Sequence, residues 1–162
     1  MTTLDELAAP VGALLKERKQ TVAVAESSTG GLISAGLLAV PGASAYFLGG
    51  GVIYTLAARR ALLGLPDEVL KGLKPLTEDY VLACAGAVRE RLDTTWGIAE
   101  LGAAGPTGTR YGHPPGLSAI AVVGPVEKAR LLETGSADRE GNMWRFAAAA
   151  LALLEEAIGE AG

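Results

Sequence analysis

Thr21-Val22-Ala23-Val24-Ala25, then Glu26-Ser27-Ser28-Thr29-Gly30-Gly31, then Leu32-Ile33-Ser34-Ala35-Gly36-Leu37-Leu38-Ala39 is the stretch that decides the architecture. The first five residues form a short apolar run with β-branched residues and read as a buried strand. The next six are small or hydroxylated, which suits a tight turn. The last eight read as a helix that stops before Pro41. Strand, small-residue turn and helix in succession is the opening of an α/β domain.

Reading outward, the alternation continues. Thr3 to Arg18 carries Leu4, Leu7, Ala8, Val11, Leu14 and Leu15 at helical spacing, with Pro10 inside as a point of kinking or division. Tyr46 to Tyr54 reads as a strand in which Gly49, Gly50 and Gly51 mark a bulge or a close approach. Thr55 to Leu63 predicts a short helix, and Pro66 with Asp67 and Glu68 another helical turn. Thr77 is the expected N-cap of a helix reaching about Arg91. Thr95–Leu101 and Leu117–Val123 predict strands flanking a Gly-rich loop, and Val126–Thr134 pairs back through the Gly124-Pro125 turn. Asn142, as N-cap, opens a last Ala/Leu-rich helix to Ile158. No linker or repeat interrupts the pattern. The expectation is one domain over residues 1–162, a compact three-layer α/β sandwich with a mixed sheet flanked by helices.

Composition narrows the function classes. The 162 residues include 22 Gly and 29 Ala, and 49% are hydrophobic. That is too apolar for a disordered chain, and the glycines lack the three-residue period of collagen. A net charge of −4 argues against nucleic acid as the main partner. One Cys (Cys84) and one His (His113) cannot build a usual zinc site, and neither a metal nor a cofactor is expected. The lone Cys, the absence of a leader pattern from Met1 to Glu6 and the lack of a ~20-residue apolar run point to a cytoplasmic protein away from membranes. A domain of this size commonly self-associates, so a homo-oligomer is expected.

Two segments carry candidate chemistry. The turn Glu26, Ser27, Ser28, Thr29, Gly30, Gly31 offers hydroxyls and places helix N–H groups beside them, a ready anion or oxyanion site. The same hydroxyls can also serve as plain helix caps. The loop Gly102 to Thr109, with Gly105 and Pro106, follows a strand where α/β sheets place ligand loops, or is an ordinary long connection. Tyr54 with Arg59 and Arg60 lies at a strand end and the next helix; Arg59 suits a phosphate or carboxylate. Asp138-Arg139-Glu140 precedes the last helix, and His113 has no sequence neighbour to orient it as a base.

The order of these motifs resembles the CinA C-terminal domain family. The resemblance rests on Ala25–Leu32, Val40–Phe47, Gly50–Tyr54, Leu63-Gly64-Leu65, Gly102–Pro106, Gly116 and Asp138-Arg139, and it covers nearly the whole chain. It implies a compact α/β sandwich and a nicotinamide mononucleotide deamidase, which hydrolyses the carboxamide to the acid and ammonia. It implies Ser27 as nucleophile, Tyr54 in the active site, and Gly105 and Pro106 in the ligand loop. Glu26, Ser28, Thr29, Gly30, Gly31 and Arg139 would contact a pyridine nucleotide, with Thr29–Gly31 as the oxyanion and phosphate cradle.

Three positions depart from the family pattern. Where Ser-Asn-Glu-Ala-Lys usually follows the tyrosine, this chain has Thr55-Leu56-Ala57-Ala58-Arg59. The lysine that assists the serine is therefore Arg59, which stays protonated and contributes electrostatically rather than as a base. Leu101 stands where Thr or Ser precedes the ligand loop, and residues 107–113 lack the usual acidic, Gly-rich run. These changes set a catalytically degenerate paralogue, which binds a nucleotide or a protein partner without deamidation, beside the deamidase as the alternative expectation.

Overall fold

The computed structural model describes residues 2–162. Met1, the first residue of the stretch read as lacking a leader, lies outside the described residues. Five strands, β1 (Val22–Glu26), β2 (Phe47–Val52), β3 (Trp96–Ala103), β4 (Leu117–Val123) and β5 (Lys128–Glu133), form one sheet in the order β2-β1-β3-β4-β5. β1 is parallel to both β2 and β3, whereas β4 and β5 add antiparallel. The sheet is therefore mixed, as the alternation of elements predicts.

Helices cover both faces. α1 (Leu4–Arg18), α2 (Leu32–Ala39) and α6 (Arg139–Ala161) pack over Val22, Val24, Trp96, Ile98, Ile120 and Val122. On the other face, α5 (Glu78–Leu92) places Tyr80, Val81, Cys84, Ala85 and Val88 on Ala23, Ala25, Ala99 and Leu101. Alternate residues of one strand thus feed two separate cores, as the period of 2 requires. The small Ala side chains of β1 and β3 face the bulkier α5. β1 is buried throughout because it has neighbours on both edges and both faces.

Local details differ from the sequence reading in three places. α1 runs through Pro10 without dividing. Its buried residues Ala8, Val11, Gly12 and Leu15 keep one face on the core, which outweighs the lost backbone bond. The helix expected over 55–63 is two pieces, α3 (Leu56–Ala58) and a π-helical turn at Arg59–Leu63 that ends at left-handed Gly64. α6 begins at Arg139 with Asp138 as N-cap, three residues before the expected start. Asn142 is not the cap, because its side chain is buried and clasps other backbone groups, as described below. Thr77 does cap α5 and accepts the Tyr80 N–H at 3.3 Å.

The sheet order places the site. β1 leads to β2 on one side, and the chain then returns to β3 on the other, with α2 and α5 on opposite faces. The crevice past the carboxyl ends of β1 and β3 is where open α/β sheets bind ligands. Glu26 closes β1, and its register partner on β3 is Glu100. A third short helix, α4 (Asp67–Gly72), lies outside the sheet and contributes one wall of that crevice.

Candidate functional site

The turn after β1 folds as it does because Gly30 and Gly31 both adopt positive φ, +62° and +110°, a backbone that side-chain-bearing residues rarely hold. Two successive left-handed residues swing α2 over the end of β1. Glu26 then caps α2 from below. Its fully buried carboxylate accepts the N–H groups of Gly31 (2.9 Å), Ile33 (3.1 Å) and Ser34 (3.0 Å), and the hydroxyls of Thr29 (2.6 Å) and Ser34 (2.8 Å). The helix N-terminus is where a buried anion is best tolerated.

Glu100 lies beside it, also fully buried and with no cation in contact among the described residues. Its Oε1 accepts the N–H groups of Ser27 and Thr29, each at 3.0 Å, and lies 2.9 Å from Thr29 Oγ1. Its Oε2 accepts the Ser28 hydroxyl. Burial pushes the Glu100 carboxyl above its ordinary value, against the pull of the Ser28, Thr29 and Ser27 hydrogen bonds. Thr29 Oγ1 lies within hydrogen-bonding distance of both carboxyls, 2.6 Å from Glu26 and 2.9 Å from Glu100, and so links them. Gly102 makes room for these contacts: a Cβ there would lie 2.5 Å from Ser28 Oγ and 3.0 Å from Glu100 Oε2.

A folded-state value raised above the ordinary 4.5 means the unfolded chain ionises first as pH rises. Glu100 therefore contributes stability that is complete below about 4.5 and declines as pH climbs toward its folded value. Glu100→Gln removes this titration. Its Tm relative to the unmodified protein is expected to increase as pH rises above about 4.5, as read by thermal unfolding at fixed ionic strength.

The expected cradle at Thr29–Gly31 is closed from within. The N–H groups of Thr29, Gly30 and Gly31 go to Glu100, to the Ser27 carbonyl (3.1 Å) and to Glu26. A helix N-terminus has donors for an anion only if the protein leaves them unbonded, and here two glutamates and one carbonyl have taken them. Between 27 and 31, Ser28 N–H alone makes no hydrogen bond among the described residues.

Ser27 faces the other way. It lines a cleft of about 750 Å³ together with Tyr54, Arg59, Tyr80, Leu101 and Gly102, closed on its far sides by Lys71 of α4 and by Thr109, Arg110 and Tyr111. Tyr54 is 56% exposed at its edge. Arg59 is engaged through all three of its nitrogens: Nε donates to the Ile53 carbonyl (3.0 Å), NH1 to the Tyr80 hydroxyl (3.1 Å) and NH2 to the Tyr54 carbonyl (3.2 Å). It also lies over the Tyr80 ring at 5.5 Å. Arg59 thus fixes the backbone at Tyr54 and cannot accept a proton. Leu101 presents an apolar side chain to the cleft where the family pattern has a hydroxyl.

The remaining expected residues lie on the opposite side of the turn. Arg139 donates to the Gly105 carbonyl and lines a hollow with Thr29, Gly30 and Glu140. Gly105, buried and in the left-handed region, precedes a cis bond to the exposed Pro106. Asn142 holds this loop, donating to the Ala104 (2.8 Å) and Ser136 (2.9 Å) carbonyls and accepting the Thr134 hydroxyl (2.7 Å). His113 Nδ1 lies 2.8 Å from Thr109 Oγ1 and staples its own loop rather than entering the cleft. The structure brings Ser27, Tyr54 and Arg59 together in one cleft. It places Glu26 and Ser28 beneath the turn and Arg139 on its far side.

Glu100 escapes the sequence reading, and the role of Asn142 differs from it. Glu100 reads as the polar member of a strand, and only its register opposite Glu26 shows that it shares the turn. Asn142 reads as a cap by position.

A sequence model of the CinA C-terminal domain matches residues 4–158. The chain belongs to the CinA C-terminal domain family. A CinA-like protein of Parasynechococcus marenigrum is 47% identical over 76% of this chain and 30% of its own length. One from Synechocystis sp. is 41% identical over 92% and 36%. The chain thus spans about a third of the length of these curated relatives. The crystal structure of a competence-damaged protein (CinA) superfamily protein from Klebsiella pneumoniae superposes with a TM-score of 0.90 at 26% identity, covering 98% of this chain and 99% of that one. A competence/damage inducible protein from Agrobacterium tumefaciens gives 0.88 at 28% identity, over 98% and 99%. The CinA superfamily fold therefore extends over the whole domain. Among the described residues, no helix is long and apolar enough to cross a membrane, and no group of three or more His, Cys, Asp or Glu could hold a metal.

Proposed function

We propose that this CinA domain hydrolyses the carboxamide of a pyridine nucleotide, nicotinamide mononucleotide, to the carboxylic acid and ammonia. The carrying observation is Ser27. The residue at the family's nucleophile position lines a cleft of mononucleotide size with Tyr54 at its rim, and the next residue, Ser28, has a backbone N–H with no internal partner among the described residues. In this reading Ser27 Oγ attacks the amide carbon. The Ser28 N–H holds the developing oxyanion, since the residue after a nucleophile commonly supplies that donor. Tyr54 relays the proton toward the departing ammonia. Water then releases the acid. Arg59 positions Tyr54 and Tyr80 and adds positive charge.

A second reading, nucleotide binding without turnover, is favoured by Arg59 and Leu101. The first replaces a residue able to accept a proton, and the second puts a methyl-bearing side chain where a hydroxyl would assist. The pair Arg59→Lys and Leu101→Thr separates the two. If the protein is a working deamidase, ammonia release is present before the changes and alters by less than about tenfold after them. If it is a binder, ammonia appears only in the doubly changed protein.

A further inference from the structure

We propose that the Ser27 cleft selects a phosphomonoester, and that Arg110 and Lys71, rather than the glycine turn, hold the phosphate. The inference rests on the same cleft as the proposed function and adds its specificity residues.

It begins with what the turn cannot do. All three N–H groups of Thr29, Gly30 and Gly31 are bonded within the chain, and two carboxyls sit behind them. A phosphate there would find no free donor among these three N–H groups. The hollow on the far side of the turn is less suited, because Glu140 lines it beside Arg139.

The cleft has the opposite character. The chain carries a net charge of −4, yet among the described residues no Asp or Glu lines this cleft, while Arg59, Lys71 and Arg110 do. Arg59 is engaged by three internal acceptors. Lys71 and Arg110 have no carboxylate partner among the described residues. Two unpaired cations in a recess without acids attract an anion, and a recess concentrates that field.

Arg110 is also preorganised. Its guanidinium lies 5.1 Å over the Tyr111 ring and donates to the Tyr111 hydroxyl at 3.0 Å. The turn beneath it is closed by the Thr109 N–H to the His113 carbonyl (3.0 Å) and by the Thr109–His113 side-chain bond. One N–H is used, so the rest of the planar fork remains for phosphate oxygens. Tyr54 and Tyr111, each 56% exposed, supply aromatic faces for a heterocycle. Residues 107–113 are also where this chain departs from the family's acidic run, so the change of loop and the cationic lining coincide.

The test is isothermal titration of the unmodified protein and of Arg110→Ala/Lys71→Ala with nicotinamide mononucleotide, nicotinamide riboside, adenosine monophosphate and ribose 5-phosphate. Both side chains are exposed, so the variant should fold, which circular dichroism checks. The unmodified protein should bind the mononucleotide at least ~10-fold more tightly than the riboside. The variant should lose that difference by weakening only the phosphorylated ligands. Added salt should weaken the phosphorylated ligands and should not weaken the riboside, whose pyridinium ring carries a positive charge. Equal affinity for mononucleotide and riboside, equal losses for both in the variant, or no binding of any phosphorylated ligand overturns the proposal. If the phosphorylated compounds bind through Arg110 and Lys71 but no ammonia is released, the deamidase reading fails and this one stands. Deamidation with a KM indifferent to the variant does the reverse.

Discussion

Ser27→Ala is expected to reduce ammonia release from nicotinamide mononucleotide by at least ~100-fold, because a nucleophile's loss removes the covalent step itself. Its fold should survive. The Ser27 hydroxyl makes no hydrogen bond among the described residues; the internal bond at this position belongs to the Ser27 N–H and Glu100, which alanine retains. Stability should therefore change by less than about 1 kcal/mol, and Tm by no more than a few degrees. Ser28→Ala is the informative contrast. Its hydroxyl donates to Glu100, so that change should act on stability more than on ammonia release. A Ser27→Ala protein with full activity would remove Ser27 from the chemistry. Rates of ammonia release, with thermal unfolding of both variants, check the pair.

Glu26→Ala should have the largest effect on stability. One carboxylate satisfies five donors: three N–H groups and two hydroxyls. Alanine leaves them facing a small void that neither a side chain nor the neighbouring strand can fill. Each buried donor left unsatisfied costs roughly 1–3 kcal/mol, and relaxation or an entering water recovers part of the sum. A net loss of about 3–5 kcal/mol is expected, a fall in Tm of roughly 10–15 °C for a domain of this size. Glu26→Gln keeps the shape and one acceptor and should lose clearly less. Equal stability of the alanine variant and the unmodified protein would mean that the turn holds itself without the cap.

Much of this was legible in the sequence, for reasons that differ by residue. The β1–turn–α2 unit announces itself because the strand run, the hydroxyl cluster, the paired glycines and the apolar run each report a local preference. Tyr54, Ser27 and Arg59 meet because they sit at strand ends and in the helix just after, where the open sheet collects ligands. What could not be read was how the turn's own donors are used. That depends on Glu100, distant along the chain and brought beside Glu26 by parallel register. The same ignorance of register made Thr29–Gly31 look like an anion cradle. Arg59 illustrates the complement: its chemistry follows from residue type, but its three acceptors follow only from how the segment after β2 bends through a π-helical turn. The start of α6 was misplaced because Asn142 is a good cap by type. The buried carbonyls of Ala104 and Ser136 had a stronger claim on its side chain.

The central claim is that Ser27 attacks a carboxamide held in this cleft. The most direct measurement incubates the unmodified protein with nicotinamide mononucleotide and quantifies ammonia and the acid product together, with the Ser27→Ala protein as control. The account predicts equimolar ammonia and nicotinic acid mononucleotide from the first and background from the second. Saturable binding of the mononucleotide with no ammonia released would contradict it.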